Sequence, residues 1–182
     1  MRVVAGTAGG RHLAGPPGRG TRPTGDRVRE ATFNALDSLG AVEGAAVLDL
    51  FAGSGALGIE ALSRGAARAT FVDHDPRVLA VVRANLAATG LARLATVIRS
   101  DALRFLTDER SGSFDLALLD PPYRFDDRAW RDLLAHVDAP LVVAESDRAV
   151  DPGPGWRLLR SRRYGATVVV LARRDQPRRE QA

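Results

Sequence analysis

What most limits the fold of this chain is the alternation that begins after Gly44, where short apolar runs and amphipathic stretches follow one another with few residues between them. Runs at 46–50, 69–73, 96–100, 115–119 and 141–145 have the length and aliphatic content of strands. Stretches at 56–64, 76–88, 102–106 and 127–137 instead carry apolar residues at the helical period. Strands that alternate with helices over short connections form βαβ units, which lay their strands parallel. Leu116-Ala117-Leu118-Leu119 is apolar without a polar break, the pattern of a strand covered by helices on both faces. The expected fold is α/β, a doubly wound Rossmann-like sheet that is mostly parallel.

The two ends depart from this rhythm. Segments 156–164 and 166–172 are joined at Gly165 with no room for a crossover helix, so they are expected to close the sheet edge as an antiparallel hairpin. From Arg173 the chain turns polar, and 175–182 reads as a disordered tail. The first 25 residues are rich in Gly, Pro and Arg and form an N-terminal arm, with a short strand at 2–5 pairing with 11–14. A helix follows, with Asp26 as its N-cap candidate, an apolar face from Val28 to Leu39 and Gly40 as its stop. The sheet domain proper then covers 26–174.

With 182 residues and 45% hydrophobic content the chain suits one domain. It has no cysteine and only His12, His74 and His136, so disulfides and a metal site are not expected. No stretch approaches a membrane span or a secretory h-region, which makes a cytoplasmic protein the expectation. The net charge of +4 hides a pattern: 1–29 carries +5, 30–147 carries −7 and 148–182 carries +6, with arginine as the sole basic residue type. Basic ends around an acidic middle fit arms that touch phosphate and a centre that holds a cation or performs chemistry. A solvated basic surface is the plainer alternative for the tail.

In open α/β sheets ligands bind beyond the carboxyl ends of the strands. The first such loop runs Asp49-Leu50-Phe51-Ala52-Gly53-Ser54-Gly55, from strand directly into helix, and its glycines let backbone approach a ligand. Gly53, Gly55 and Gly58 also satisfy the dinucleotide pattern G-x-G-x-x-G, with Asp73 twenty residues after Gly53, so a nicotinamide enzyme competes. Asp49 tips the choice: its charge suits a cationic ligand and would repel a pyrophosphate. S-adenosylmethionine carries a sulfonium and an ammonium and no phosphate. Asp73, with His74 beside it, can accept from ribose hydroxyls, or serve as a turn aspartate before Pro76. Asp101, next to Ala102, can accept from an adenine amine or cap the following helix, and Asp75 reads as a cap.

After the fourth strand comes Asp120-Pro121-Pro122-Tyr123. Consecutive prolines stiffen a loop and offer carbonyls without competing N–H groups. An exocyclic base amine is a poor nucleophile because its lone pair is delocalised. If the Asp120 carboxylate and the Pro121 carbonyl accept its two N–H groups, the lone pair is freed toward a methyl carbon. Tyr123 would stack on the extruded base. A rigid turn with Tyr123 covering the core is the structural alternative.

These residues resemble the class I methyltransferases, and among them the bacterial family that makes N2-methylguanosine at position 966 of 16S ribosomal RNA. The resemblance spans nearly the whole chain. It is carried by Arg22-Pro23-Thr24, by 26–31, by Phe33-Asn34, by 49–66 and by Asp120 to Tyr123. Asp-Pro-Pro-Tyr alone is less specific, since it also looks like the loop of adenine N6-methyltransferases. The resemblance implies methyl transfer from S-adenosylmethionine to a guanine 2-amino group in protein-containing small subunits, by a monomer whose N-terminal arm helps recognise the RNA. Arg2, Arg11, Arg19 and Arg22 are the candidates for that contact. Arg22, Thr24 and Arg29 could instead touch the methionine carboxylate of the cofactor, or cap and solvate the first helix. A base methyltransferase, a nicotinamide-dependent oxidoreductase and a non-catalytic RNA-binding module are thus the readings that the structure has to separate.

Overall fold

The computed structural model describes residues 1–15, 25–108, 111–122 and 125–175. The elements follow in the order α1 (Asp26–Ser38), β1 (Ala46–Leu50), α2 (Ala56–Ser63), β2 (Arg68–Asp73), α3 (Pro76–Thr89), a 3-10 turn (Ala92–Leu94) and β3 (Ala95–Arg99). Then come α4 (Ala102–Leu106), β4 (Leu116–Leu119), α5 (Asp127–His136), β5 (Leu141–Ser146), β6 (Trp156–Tyr164) and β7 (Thr167–Arg174). They build one seven-stranded sheet in the order β3-β2-β1-β4-β5-β7-β6. Its first five strands are parallel, and β7 enters antiparallel between β5 and β6.

Every residue of β1, β4 and β5 is buried, the result of helices packing on both faces. On one face Phe33 and Leu36 of α1, Ile59 and Leu62 of α2, and Val82 and Leu86 of α3 fill the space above Val47, Phe71 and Leu118. On the other, Phe105 of α4 and Trp130, Leu133 and Leu134 of α5 cover Leu48, Leu50 and Leu119. Among the described residues no helix is long and apolar enough to cross a membrane.

α2 is buried along its entire length, including the charged Glu60. Glu60 survives there because four donors reach it: Val4 N (2.7 Å), Ala5 N (3.1 Å), Arg29 Nε (3.4 Å) and Arg64 Nε (2.8 Å). Burying a carboxylate without such partners would cost several kcal/mol, on the order of 3–5 when one partner is removed. The cluster fastens the N-terminal arm and α1 to the sheet.

Three expectations change. Gly25, not Asp26, is the N-cap of α1, and Asp26 instead pairs with Arg29 one turn on, at 3.0 Å. Among its described residues the arm forms no regular strand: Arg2 and His12 make a single antiparallel bridge, with Val3 N and Leu13 N bonding across it to the Arg11 and Met1 carbonyls, while the N–H groups of Val4, Ala5 and Ala8 turn to α2. The last strand does not stop at Ala172 but runs through Arg174, whose guanidinium lies 4.3 Å from the Trp156 ring and donates to the Val137 carbonyl. The tail beyond 175 lies outside the described residues.

Candidate active site

Register sets the site. Leu50 pairs with Val72 on one side and with Leu119 on the other, so the chain leaves β1, β2 and β4 at one level of the sheet. The loops beginning at Phe51, Asp73 and Asp120 therefore share the carboxyl edge. The strand order reverses between β1 and β4, where doubly wound sheets hold their ligands.

The first loop is wound tightly by left-handed residues. Phe51 (φ 65°), Gly53 (φ 54°) and Gly55 (φ 77°) all have positive φ, and Phe51 is the sole non-glycine to do so among the described residues. Such a residue stores roughly 1 kcal/mol of strain or more, and it persists where neighbours hold it. Here Ala52 N donates to the Val72 carbonyl at 3.0 Å, and the Phe51 ring meets Phe125 edge-on at 5.5 Å. A Cβ added to Gly53 would meet nothing closer than 3.8 Å. The glycine thus serves the backbone turn and leaves open space beside the loop, as a nucleoside lying against it requires. Ser54 is buried; its carbonyl accepts from Asn85 and its hydroxyl lies 3.5 Å from Met1 Sδ.

Asp49 is not open at the strand end. It is 1% exposed, and its Oδ2 accepts from Gly58 N at 2.8 Å. Gly58 is the third residue of α2, whose own N-cap position, Gly55, has no side chain to bond the free N–H groups. Asp49 therefore caps α2 from the neighbouring strand. Burial pushes its pKa up to about 8, opposed by the Gly58 bond and reinforced by the nearby Asp73 charge. Its bond goes to the backbone of α2, behind the glycine loop.

Asp73 ties two of the loops together: Oδ2 accepts from Gly53 N at 3.3 Å and Oδ1 from Asp75 N at 3.0 Å. The turn role and a ribose-facing role are compatible, since each oxygen keeps a second lone pair. His74 is exposed, its Nδ1 3.4 Å from Asp73 Oδ1. Asp75 caps α3 through Arg77 N, and the Arg77 guanidinium holds its pKa down at about 2. Asp101 caps α4 through Leu103 N and Arg104 N, both on Oδ1, with Ala102 buried behind it.

Asp120 is half-buried at the end of β4, Pro121 is buried and Pro122 is exposed. The Pro122 carbonyl accepts from Phe125 N at 3.0 Å. Tyr123 lies outside the described residues, as do Arg19, Arg22 and Thr24. Arg2 sits 3.7 Å from Asp26, and Arg11 donates to the Ala88 carbonyl at 3.1 Å. Arg29, one candidate for the cofactor carboxylate, is fully buried on Asp26 and Glu60, so it caps the arm and not a ligand.

Two contributors had no motif to announce them. Asn85, buried on the apolar face of α3, accepts from Ala14 N and donates to the carbonyls of Ala14 and Ser54, lacing the arm to the first loop. An asparagine at a core position of a helical period was the available signal. Phe125, stacked edge-on with both Phe51 and Trp130, links the first loop to α5.

A family model described as "Conserved hypothetical protein 95" matches residues 1–173. The chain is 37% identical over 186 residues to the Ribosomal RNA small subunit methyltransferase D of Escherichia coli (strain K12), an alignment covering 96% of this chain and 90% of that protein. It belongs to the ribosomal RNA small subunit methyltransferase D family. The family's protein from Haemophilus influenzae is 34% identical, covering 94% of this chain and 92% of its own length. In three dimensions a hypothetical protein from Thermus thermophilus superposes with a TM-score of 0.81 at 31% identity, covering 94% of this chain and 98% of that one. Membership removes the nicotinamide oxidoreductase and the non-catalytic module as readings. The G-x-G-x-x-G spacing belongs here to the methyltransferase loop, with Gly58 kept by contact and not by phosphate: a Cβ there would lie 2.4 Å from the Phe71 ring.

The Asp49 proton has a measurable consequence. Folding raises this pKa from 3.8 to about 8. The stability it contributes is complete below the unfolded value and falls as pH rises through the folded one. Denaturant unfolding from about pH 5 to 9 should show the wild-type protein losing stability relative to Asp49→Asn, by up to about 1.4 kcal/mol per pH unit below pH 8. A difference that stays flat over that range contradicts the raised pKa.

Proposed function

We propose that this chain transfers the methyl group of S-adenosylmethionine to the exocyclic N2 of guanine 966 in the 16S RNA of the small ribosomal subunit. As a family member it is an S-adenosylmethionine-dependent methyltransferase of small-subunit ribosomal RNA; the base and its position are the finer part of the proposal. The observation that carries it is the adjacency of two loops: Asp120-Pro121 leaves β4 beside the glycine loop that leaves β1, at one level and one strand spacing away, about 4.8 Å.

The cofactor supplies an electrophilic methyl carbon. The donor fits the open space at Gly53, the half-buried Asp73 carboxylate suits its ribose, and Asp101 closes the same edge. The residues of the chain address the difficulty that remains, the weak nucleophilicity of the amine. The Asp120 carboxylate and the Pro121 carbonyl accept the two N–H groups and orient the lone pair, while the stiff proline pair holds that geometry. Asp120 also stabilises the positive charge that develops on nitrogen and takes the proton as it leaves. Tyr123 is assigned the stacking role on the extruded base. The arm, through Arg2, Arg11, Arg19 and Arg22, is assigned to RNA in a protein-containing subunit. An adenine N6 amine would ask the same of Asp120 and Pro121, so the choice of guanine rests on the family.

Small subunits reconstituted with inosine at position 966 lack the 2-amino group alone. Methyl incorporation at that site should fall to background while guanine-bearing subunits are labelled; equal labelling of both contradicts N2 as the acceptor. Asp120→Ala should lower kcat by about 100-fold or more, the usual cost of removing one electrostatic stabiliser. Its affinity for S-adenosylmethionine, measured by calorimetry, should stay within about twofold of wild type; a parallel loss of affinity would move Asp120 into the cofactor site.

A further inference from the structure

The segment from Pro152 to Arg174 contains six arginines and no acidic residue. It forms the outermost hairpin, with β6 as the free edge of the sheet. Elsewhere several arginines are matched, Arg29, Arg64, Arg77 and Arg148 each sitting on carboxylates, while unpaired ones among the described residues, such as Arg68, Arg83 and Arg93, stand on separate elements. On β6 the unpaired arginines are gathered on one strand. Among the described residues Arg157, Arg160 and Arg162 have no carboxylate within ion-pair distance, and Arg163 donates only to the Asp147 carbonyl, at 3.4 Å.

The register gives this edge its place. Leu119, Ala144, Val170 and Ser161 lie in one row across β4, β5, β7 and β6. Arg162 and Arg163 follow Ser161 as Asp120 and Pro121 follow Leu119, so they stand level with the catalytic loop, three strand spacings or roughly 14 Å away. A β-bulge between Leu158 and Arg160 sets their direction. Before it, Trp156 and Leu158 pair with Arg174 and Ala172; after it, Arg160, Arg162 and Tyr164 pair with Leu171, Val169 and Thr167. The extra residue turns Arg160 and Arg162 to the α1 side, where with Tyr164 they rim a shallow cleft against Ala31 and Ala35. The Arg162 guanidinium lies 5.6 Å from the Tyr164 ring centroid.

We infer that this arginine edge of β6 grips the phosphate backbone of the RNA strand that flanks the target base. The inference rests on the reading of the chain as an enzyme acting on RNA. Phosphate contacts fix register and orientation without reading sequence, and an unmatched basic edge at the level of the catalytic loop supplies them along a path separate from the N-terminal arm. The paired Arg162 and Tyr164 add a planar surface of the kind on which bases stack. Charged side chains also keep a free edge strand from pairing with another sheet. That role alone would make the variants below aggregate without altering RNA recognition.

The test compares wild type, Arg160→Ala/Arg162→Ala/Arg163→Ala and the triple Arg→Lys protein, each checked for monodispersity and thermal unfolding. Methylation of unmodified small subunits and electrophoretic binding to protein-free 16S RNA are both measured from about 50 to 200 mM salt. The alanine protein should show a KM for subunits raised about tenfold or more, with kcat and S-adenosylmethionine affinity near wild type. Its salt slope for RNA binding should be shallower by about two, at roughly 0.7 per lost phosphate contact. Lysine, which keeps the charge, should restore most of both. Unchanged KM and slope in a monodisperse alanine protein overturn the inference. So does an effect seen on protein-bearing subunits but absent on free RNA, which would make the edge a contact for ribosomal protein. If wild type itself yields no methyl product, the proposed function fails instead, and the RNA-binding arm still decides whether the edge holds RNA.

Discussion

The bond from Gly58 to the Asp49 carboxyl determines how deep α2 sits, and much of the molecule follows from that depth. Asp49 lies mid-sheet on β1 and caps α2 across the strand–helix turn at 2.8 Å. Gly58 offers no Cβ to hold the helix off Phe71. The seated helix is buried on all sides, which takes Glu60 out of water with it. A buried carboxylate demands cations and N–H donors, and Arg29, Arg64, Val4 and Ala5 supply them. One close approach thus fixes α1, whose Arg29 is 31 residues from Glu60, and the N-terminal arm, 55 and 56 residues away in sequence.

The same contact organises the carboxyl edge. With α2 drawn down, the loop before it must reverse within a few residues, and Phe51, Gly53 and Gly55 take left-handed conformations to do so. Asp73 then reaches Gly53 from β2, Asn85 holds Ser54 from α3, and Phe125 braces Phe51 from beyond Pro122. The glycine loop is pinned from three sides while the space beside Gly53 stays open. Preorganisation of this kind suits a reaction in which the protein supplies position and electrostatics and the methyl donor supplies reactivity.

Much of this was legible in the sequence, because strand and helix bounds follow periodicity and periodicity follows burial. β1, α4 and β6 fall where the pattern puts them, and the other elements of the sheet and its helices differ by one or two residues. What the pattern could not carry was long-range pairing. Asp49 is visible as an acid at a strand end, but its cap on Gly58 exists only once β1 and α2 are folded together. Glu60 and Asn85 read as helix residues until the arm docks on them. Arg173 and Arg174 read as tail because charged residues seldom extend a strand; the Trp156 ring and the Val137 carbonyl make the exception. The tetrapeptide from Asp120 to Tyr123 stood out by its composition, yet Phe125, two residues beyond it, carries no signature beyond being aromatic.

The central claim is a single methylation event on one base of the small subunit, and mass spectrometry of digested RNA addresses it most directly. Small subunits lacking the modification, incubated with the protein and S-adenosylmethionine, should yield N2-methylguanosine at one site, position 966 of the 16S RNA. N6-methyladenosine in its place, or no methylated nucleoside from a protein that binds the donor, would contradict the account.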